Sequence, residues 1–525
     1  MPSKLNWMVW ISRIIILFST SISAVSQTKD QANTSISPSS MEKPNIIVFL
    51  VDDMGIMDTS LPMLSDGNGN PQRHPLNHWY RTPNIESLAE RGIRFTNFYS
   101  HLVCSPTRVS IMTGQNSARH HVTDAILPDS RRTGDHIPQW RREGLTREDV
   151  TLPRILREAG YRTIHVGKGH FGPVGSVGAE PLNLGFEVNI AGCSYGQPGS
   201  YFGEDGYGNL NPERIHRAVP GLEKYHQTDV FLTEALTIEA KAAIDQVLES
   251  DSPFYLYFSH YGVHAPFDED KRFIEHYQNR GRNRPDEAFA ALIEGVDKSL
   301  GDIMDHLETR EIAEETILFF LSDNGSASPI GGEGEIGSTA PLRGKKGNQW
   351  EGGTRVPFLA AWIKPNVDNP IQKKLPIAVG EIQRQLGTCY DLFPTITELT
   401  EASVPGEHSL DGQNLKTLLS GEEDPQRRNV FLSHFPHDRR DRHYTTWLSG
   451  DWKLIYHYLP TPDQPRYRLF NLKTDPSESH DISAQHPERL KVMVEAMAKE
   501  LETMGALYPV VDGEGLRPVA PQRGP

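Results

Sequence analysis

Cys104 and Arg108 stand about one helical turn apart in the run Cys104-Ser105-Pro106-Thr107-Arg108. A helix opening near Ser105, with Pro106 tolerated in its first turn, puts the thiol at a helix N-terminus. Unbonded backbone N–H groups and the helix dipole favour negative charge there, either a thiolate or a bound anion. The Arg108 guanidinium adds a planar, permanently charged donor fork suited to an oxyanion such as sulfate or phosphate. Elsewhere two apolar runs end in oxygen-bearing side chains. Asn45–Val51 leads to Asp52-Asp53, and the run from Thr316 to Leu321 leads to Asp323-Asn324. Carboxylates converging from two strand ends repel one another unless a cation lies between them. An all-oxygen set suits a hard ion, Ca²⁺ or Mg²⁺, rather than zinc.

The elements that must hold these groups are legible as alternating patterns. Asn45–Val51 is a continuous apolar run, the mark of a strand buried on both faces. Further strands are expected over 163–166, 254–258 and 316–321, and helices over 84–91, 152–158, 231–248 and 287–307. Strand and helix alternating at this spacing predict a doubly wound α/β domain, whose ligands sit beyond the carboxyl ends of the strands. The segments 61–78 and 325–342 read as surface loops beside the site. From about residue 422 the texture changes to short strands (430–432, 452–456, 468–472) and a terminal helix near 487–504. That pattern predicts a small antiparallel sheet with one packed helix, and a domain boundary near 420.

The chain has 525 residues, 23% charged and 37% hydrophobic, as expected of a globular protein with one large and one smaller domain. Lys4 and Arg13 precede the apolar stretch Ile14–Phe18 and a small-residue region reaching Ser26, a signal-peptide layout too short for a membrane anchor. Residues 1–26 carry two basic and no acidic residue, so their removal takes the formal charge from −15 to −17. That charge excludes a general nucleic-acid binder, although a locally basic pocket can still capture an anionic polymer. Residues 27–43 read as a flexible lead-in. Three cysteines, Cys104, Cys193 and Cys389, are too few for a disulfide framework. Whether Cys193 and Cys389 pair is left open.

The Cys-x-Pro-x-Arg run resembles the signature of the type I sulfatases of the alkaline phosphatase superfamily, and the likeness extends in order from Pro44 to about Glu478. The resemblance implies a large doubly wound mixed sheet flanked by helices, with a smaller C-terminal antiparallel sheet. It divides the chain into a catalytic domain (44–420) and a small α+β subdomain (421–525). It further implies that Cys104 is oxidised to 3-oxoalanine (formylglycine) by a maturation enzyme, and that the hydrate of this aldehyde attacks sulfur. One Ca²⁺ is expected on Asp52, Asp53, Asp323, Asn324 and modified Cys104. Gly167-Lys168-Gly169-His170 resembles an element in which lysine binds the sulfate and histidine assists the nucleophile; Gly169 departs from the Trp often found there. His264-Ala265-Pro266 resembles the element whose histidine contacts the ester and the leaving oxygen. Counting back from Glu351-Gly352-Gly353, Lys346 falls on a second sulfate-binding lysine, with Lys345 beside it.

The expected function is removal of sulfate from a sulfated carbohydrate by an exported enzyme, periplasmic or secreted, with no stable membrane anchor and no nucleic-acid partner. Two alternatives remain: a phosphonate monoester or phosphodiester hydrolase of the same superfamily, and a non-catalytic binder of sulfated glycans. In the small domain, His434 and His437 could line a sugar subsite.

Overall fold

In the strand Asn45–Val51 every residue is buried, and the strand's two-residue period sorts its side chains into two cores. Ile47, Phe49 and Val51 face one cluster with the helices Leu232–Leu248 and Arg284–Thr309. Ile46, Val48 and Leu50 face the other, with Cys104–Thr113, Leu152–Glu158 and Leu392–Leu399. An uninterrupted apolar run is therefore what a strand between two helical layers requires.

The computed structural model describes residues 43–66, 70–129, 136–250, 252–330, 339–438 and 442–521. The signal-peptide and lead-in readings fall almost wholly on residues 1–42, outside the described residues. The central sheet has eight strands, in the spatial order Val188–Ile190, Arg162–Gly167, Phe254–Ser259, Asn45–Val51, Thr316–Ser322, Phe358–Trp362, Ile93–Phe95 and Glu381–Gln383. Only Phe358–Trp362 runs against the rest. The doubly wound mixed sheet is thus observed, with helices on both faces.

A second, antiparallel sheet is a four-stranded meander of Val430–Phe435, Tyr444–Ser449, Trp452–His457 and Tyr467–Asn471. The helix Pro487–Thr503 lays Leu490, Met493, Val494, Met497 and Leu501 on it, the spacing of one helical face. Met41–Pro525 packs as one unit. Cys193 and Cys389 are free thiols. Among the described residues no helix is long and apolar enough to cross a membrane.

Candidate active site

Four parallel strands deliver their chemistry to one edge of the sheet. Asp52-Asp53 follow Val51, Lys168 and His170 follow Gly167, His264 lies beyond Ser259, and Asp323-Asn324 follow Ser322. The backbone locks these ends together. The Asp52 N–H donates to Gly262 O at 2.8 Å, that of Asp323 to Val51 O at 3.1 Å, and that of Lys168 to Ser259 O at 2.8 Å. Asp53 (φ 64°) and His170 (φ 61°) both occupy the left-handed region, where side chains are aimed at a cost of about 1–3 kcal/mol. The helix Cys104–Thr113 begins at the cysteine itself, and Gly114 ends it in the left-handed conformation.

The charges are paired inside the protein. Lys168 Nζ lies 2.6 Å from Asp52 Oδ2, with both side chains fully buried. Lys346 Nζ contacts Asp53 Oδ1 and lies 3.7 Å from Cys104 Sγ. Arg108 donates to Asp323 Oδ2 from Nε (3.0 Å) and Nη2 (2.8 Å), to Ser259 Oγ (2.5 Å) and to Lys168 O (3.0 Å). This differs from the sequence reading: the Arg108 fork is directed to Asp323 and the Lys168 carbonyl rather than held out for an oxyanion. Lys345 is exposed, so it is Lys346 that reaches the cluster. The cluster meets solvent through Lys346 and His264, whose side chains are 12% and 17% exposed while its other charged groups are at most 1% exposed.

Electrostatics fixes most protonation states. Burial raises the Asp53 carboxyl, but Lys346, His264 and Lys168 outweigh it and hold it well below the usual range. Burial works the same way on Asp323, and Arg108 and Lys168 outweigh it. Burial and then Asp323 push Asp52 up, against Lys168. Burial alone would lower the Lys346 ammonium; Asp53, Cys104 and Asp52 reverse that and push it up. Burial also raises the Cys104 thiol despite Lys168 and Lys346, so of the thiolate and the bound anion expected at this helix end the thiolate is disfavoured. Burial and Lys168 keep His170 neutral; its Nε2 meets Ile126 O at 2.7 Å, and its Nδ1 is buried without a partner among the described residues. His264 is lowered to about 4 by burial and Lys346; its Nδ1 meets Ala265 O at 2.9 Å, and its Nε2 lies 3.6 Å from Asp53 Oδ2.

The donor set fits a hard cation. Asp52 Oδ1, Asp53 Oδ2 and Asn324 Oδ1 are buried oxygens with no hydrogen-bond partner among the described residues. Ligand atoms of Asp52, Asp53 and Cys104 lie within 4.8 Å of one another. Asn324 directs its amide nitrogen to Asp53 Oδ1 at 2.8 Å, which leaves its oxygen as the free acceptor. Orphaned buried oxygens are costly unless paired, and a divalent ion pairs several at once.

Two sequence readings land elsewhere. His434 is 1% exposed, with Nδ1 against Thr445 Oγ1 and Nε2 against Leu507 O, each at 2.7 Å. His437 is equally buried, and its Nε2 meets Thr123 Oγ1 at 2.8 Å. Both are buried braces within the protein, not side chains presented to solvent. Two contributors went unread. Ser259 braces Arg108, and Gly196 lies so close to His170 that an added Cβ would meet its Cε1 at 2.6 Å. The apolar strand ending at Ser259 gave a signal for the first. Nothing in the local sequence marks the second, which is a contact across the fold.

Comparison with known proteins agrees with this site. The Sulfatase family model matches residues 44–402, and the model for the C-terminal part of N-sulphoglucosamine sulphohydrolase matches residues 357–506. The N-acetylgalactosamine-6-sulfatase of Homo sapiens is 31% identical over 399 residues, 72% of this chain and 66% of that protein. A sulfatase of Formosa agariphila is 27% identical over 536 residues, 90% of each chain. The crystal structure of Ps i-CgsB in complex with k-i-k-neocarrahexaose superposes with a TM-score of 0.67 at 25% identity, covering 88% of this chain and 93% of that one. With its Cys-x-Pro-x-Arg helix, its oxygen cluster and a family match over more than half its length, the chain belongs to the type I sulfatases of the alkaline phosphatase superfamily, a family of sulfuric ester hydrolases.

Proposed function

We propose that this protein removes sulfate from a sulfated oligo- or polysaccharide, using formylglycine made from Cys104 by a maturation enzyme and one Ca²⁺. Asp52, Asp53, Asp323, Asn324 and residue 104 would hold the ion. The single observation that carries this reading is the meeting of three orphaned buried oxygens with the first residue of the Cys104 helix at one sheet edge. When bound, the ion supplies Lewis-acid charge for a sulfuryl oxygen, and the aldehyde hydrate supplies the attacking hydroxyl.

The remaining work falls to side chains already in place. With Asp52 ionised as a ligand of the ion, Asp52, Asp53 and Asp323 against Arg108, Lys168 and Lys346 sum to zero. A divalent ion makes the site +2, a potential that draws a monoanionic sulfate ester. Lys168 and Lys346 hold the sulfuryl oxygens, while Arg108 fixes Asp323 and the Lys168 backbone. The unpartnered Nδ1 of neutral His170 is the acceptor for a proton at residue 104. Lys346 and His264, on the solvent side, face the leaving oxygen, which fits an ester whose bulk stays outside.

Carbohydrate as the substrate class is supported by the names of the relatives and by the oligosaccharide bound to the solved neighbour. Asn324, where a histidine would suit the phosphonate hydrolases, favours an oxygen-bound calcium and sulfate. We place the catalytic domain at 44–420 and the small subdomain at 421–525, and read the chain as exported. The test is sulfate release from a panel of sulfated glycans by protein co-expressed with a formylglycine-generating enzyme. Cys104→Ala serves as the blank, and a phosphonate monoester as the competing substrate. Release lost in the variant supports the proposal; turnover of the phosphonate alone overturns it.

A further inference from the structure

Away from the oxygen cluster, a second set of charges is buried where the small sheet meets the catalytic domain. Lys453, on the strand Trp452–His457, places Nζ 2.9 Å from Glu351 Oε1 and 2.8 Å from Glu478 Oε1, and all three side chains are at most 3% exposed. Glu478 Oε2 accepts the Glu351 N–H at 2.7 Å. Tyr99 donates to Glu351 Oε2 at 2.8 Å. Arg355 lies 3.7 Å from the same oxygen. A buried ion pair is weak support for stability, because apolar residues of similar volume often do as well, so its placement calls for another account.

Glu351 ends the segment that carries Lys346, and that segment is stitched to the catalytic groups. The Lys346 N–H donates to Ser326 O at 3.0 Å and that of Gly347 to Leu102 O at 2.8 Å, two residues from the metal ligand Asn324 and from Cys104 respectively. Gly353 O accepts the Gly325 N–H at 3.0 Å, and the Gly352 N–H reaches Arg343 O at 2.8 Å. The segment has no slack. A Cβ on Gly353 would meet Asn348 O at 2.2 Å, and one on Gly325 would meet Gly352 O at 2.0 Å. Arg343 stacks 3.6 Å from the Trp350 ring and donates to Glu478 O at 3.0 Å, so both ends of the segment are held by the same acidic residue. Interiors packed this closely pass a displacement on instead of absorbing it.

We infer that Glu351, Lys453 and Glu478 are positioning residues for Lys346, so that the small C-terminal sheet sets the geometry of the sulfate-binding site. The inference rests on the reading of Lys346 as a sulfate ligand. Without Lys453, the Glu351 and Glu478 carboxylates lose the ammonium that bridges them, and the Glu351 end of the segment must shift. Losing the charge-assisted contact that Lys346 would make to sulfate costs on the order of 10- to 10²-fold in affinity.

The experiment uses matured, calcium-loaded enzyme and titrates inorganic sulfate by calorimetry. The variants are Lys453→Met, Tyr99→Phe, Lys346→Ala and the two doubles with Lys346→Ala. Thermal midpoints and the kcat and KM for an aryl sulfate are measured alongside. Lys453→Met is expected to weaken sulfate binding about 10- to 10²-fold at temperatures well below its midpoint, and Tyr99→Phe about fivefold, the worth of one hydrogen bond. In the Lys346→Ala background each should change sulfate affinity less than about twofold, the non-additivity of residues acting through one group. Variants that only melt earlier, or losses that multiply in the Lys346→Ala background, overturn the inference. Should Lys453→Met fail to fold, Tyr99→Phe carries the same test. Unaltered sulfate affinity in Lys346→Ala itself would instead overturn the role of Lys346, and the inference with it.

Discussion

Replacing Arg108 by methionine separates two accounts of this residue. In the structure its guanidinium is fully buried and makes four hydrogen bonds, two of them to Asp323 Oδ2. Removing one partner of a buried ion pair costs about 3–5 kcal/mol, because the other charge stays behind unpaired. Arg108→Lys keeps the charge and loses the two-pronged contact, for about 1.5–3 kcal/mol. Unfolding entropy is roughly 2.1 cal/mol/K per residue, about 1 kcal/mol/K for the roughly 480-residue unit, so the midpoint should fall by about 3–5 °C and about 1.5–3 °C respectively. The assay is thermal melting with calorimetric Ca²⁺ titration, on protein that keeps Cys104 so that maturation plays no part. Because Asp323 loses the partner that orients it, Ca²⁺ affinity should drop about 10- to 100-fold in Arg108→Met, the usual cost of removing a group that orients a metal ligand. Unchanged melting and Ca²⁺ binding, with a large loss of sulfate affinity in the calcium-saturated protein, would show that Arg108 faces the substrate and refute the reasoning.

Three further outcomes are expected. Chelation should lower the melting temperature, with Ca²⁺ at about 100 times its Kd restoring about 2.7 kcal/mol and Mg²⁺ less; identical melts with and without chelator would exclude a resident ion. Gly196→Ala drives a methyl into the His170 ring and should cut kcat by about 10²-fold with little change in KM. Gly406→Ala, with open space around it, is the control, and equal activity in the two variants would remove His170 from the mechanism. Burial lowers His101, His165 and His260 to about 3 and His434 to about 4, so each is neutral when folded and takes a proton when unfolded below about 6.5. Their stability is present above pH 6.5 and lost as pH falls toward about 4 for His434 and about 3 for the other three. Asp58, Asp297 and Glu478, raised to about 7 chiefly by burial, act in the opposite sense but are fewer. His434→Gln should make the pH dependence of melting shallower by about one proton between pH 6.5 and 4; an unchanged slope contradicts this.

The catalytic half of the fold was readable because its strands are buried on both faces. Asn45–Val51 and the run ending at Ser322 cannot be anything but central, and the acids after them mark the carboxyl edge. The motif helix followed from Pro106 and Gly114. Less visible were the edge strands Val188–Ile190 and Glu381–Gln383, at three residues each too short to show a period, and the antiparallel Phe358–Trp362, whose direction no local pattern encodes. The strand Tyr444–Ser449 was missed because its two threonines and the charged run before it mask the alternation. In the site, residue types were legible and pairings were not. That Arg108 holds Asp323, and that His434 is a buried brace, depends on contacts between segments 215 and 73 residues apart.

The central claim is that residue 104, once converted, turns over sulfate esters at the oxygen cluster. The most direct measurement is multiple-turnover release of inorganic sulfate from a sulfated oligosaccharide by matured enzyme and by Cys104→Ser, with the mass of the residue 104 peptide confirming each state. Sustained release is expected from the aldehyde form and none from the serine variant, whose single hydroxyl can at most keep one sulfuryl group as an ester that it cannot expel. Sustained turnover by Cys104→Ser, or none by protein whose peptide mass shows the aldehyde, would contradict it.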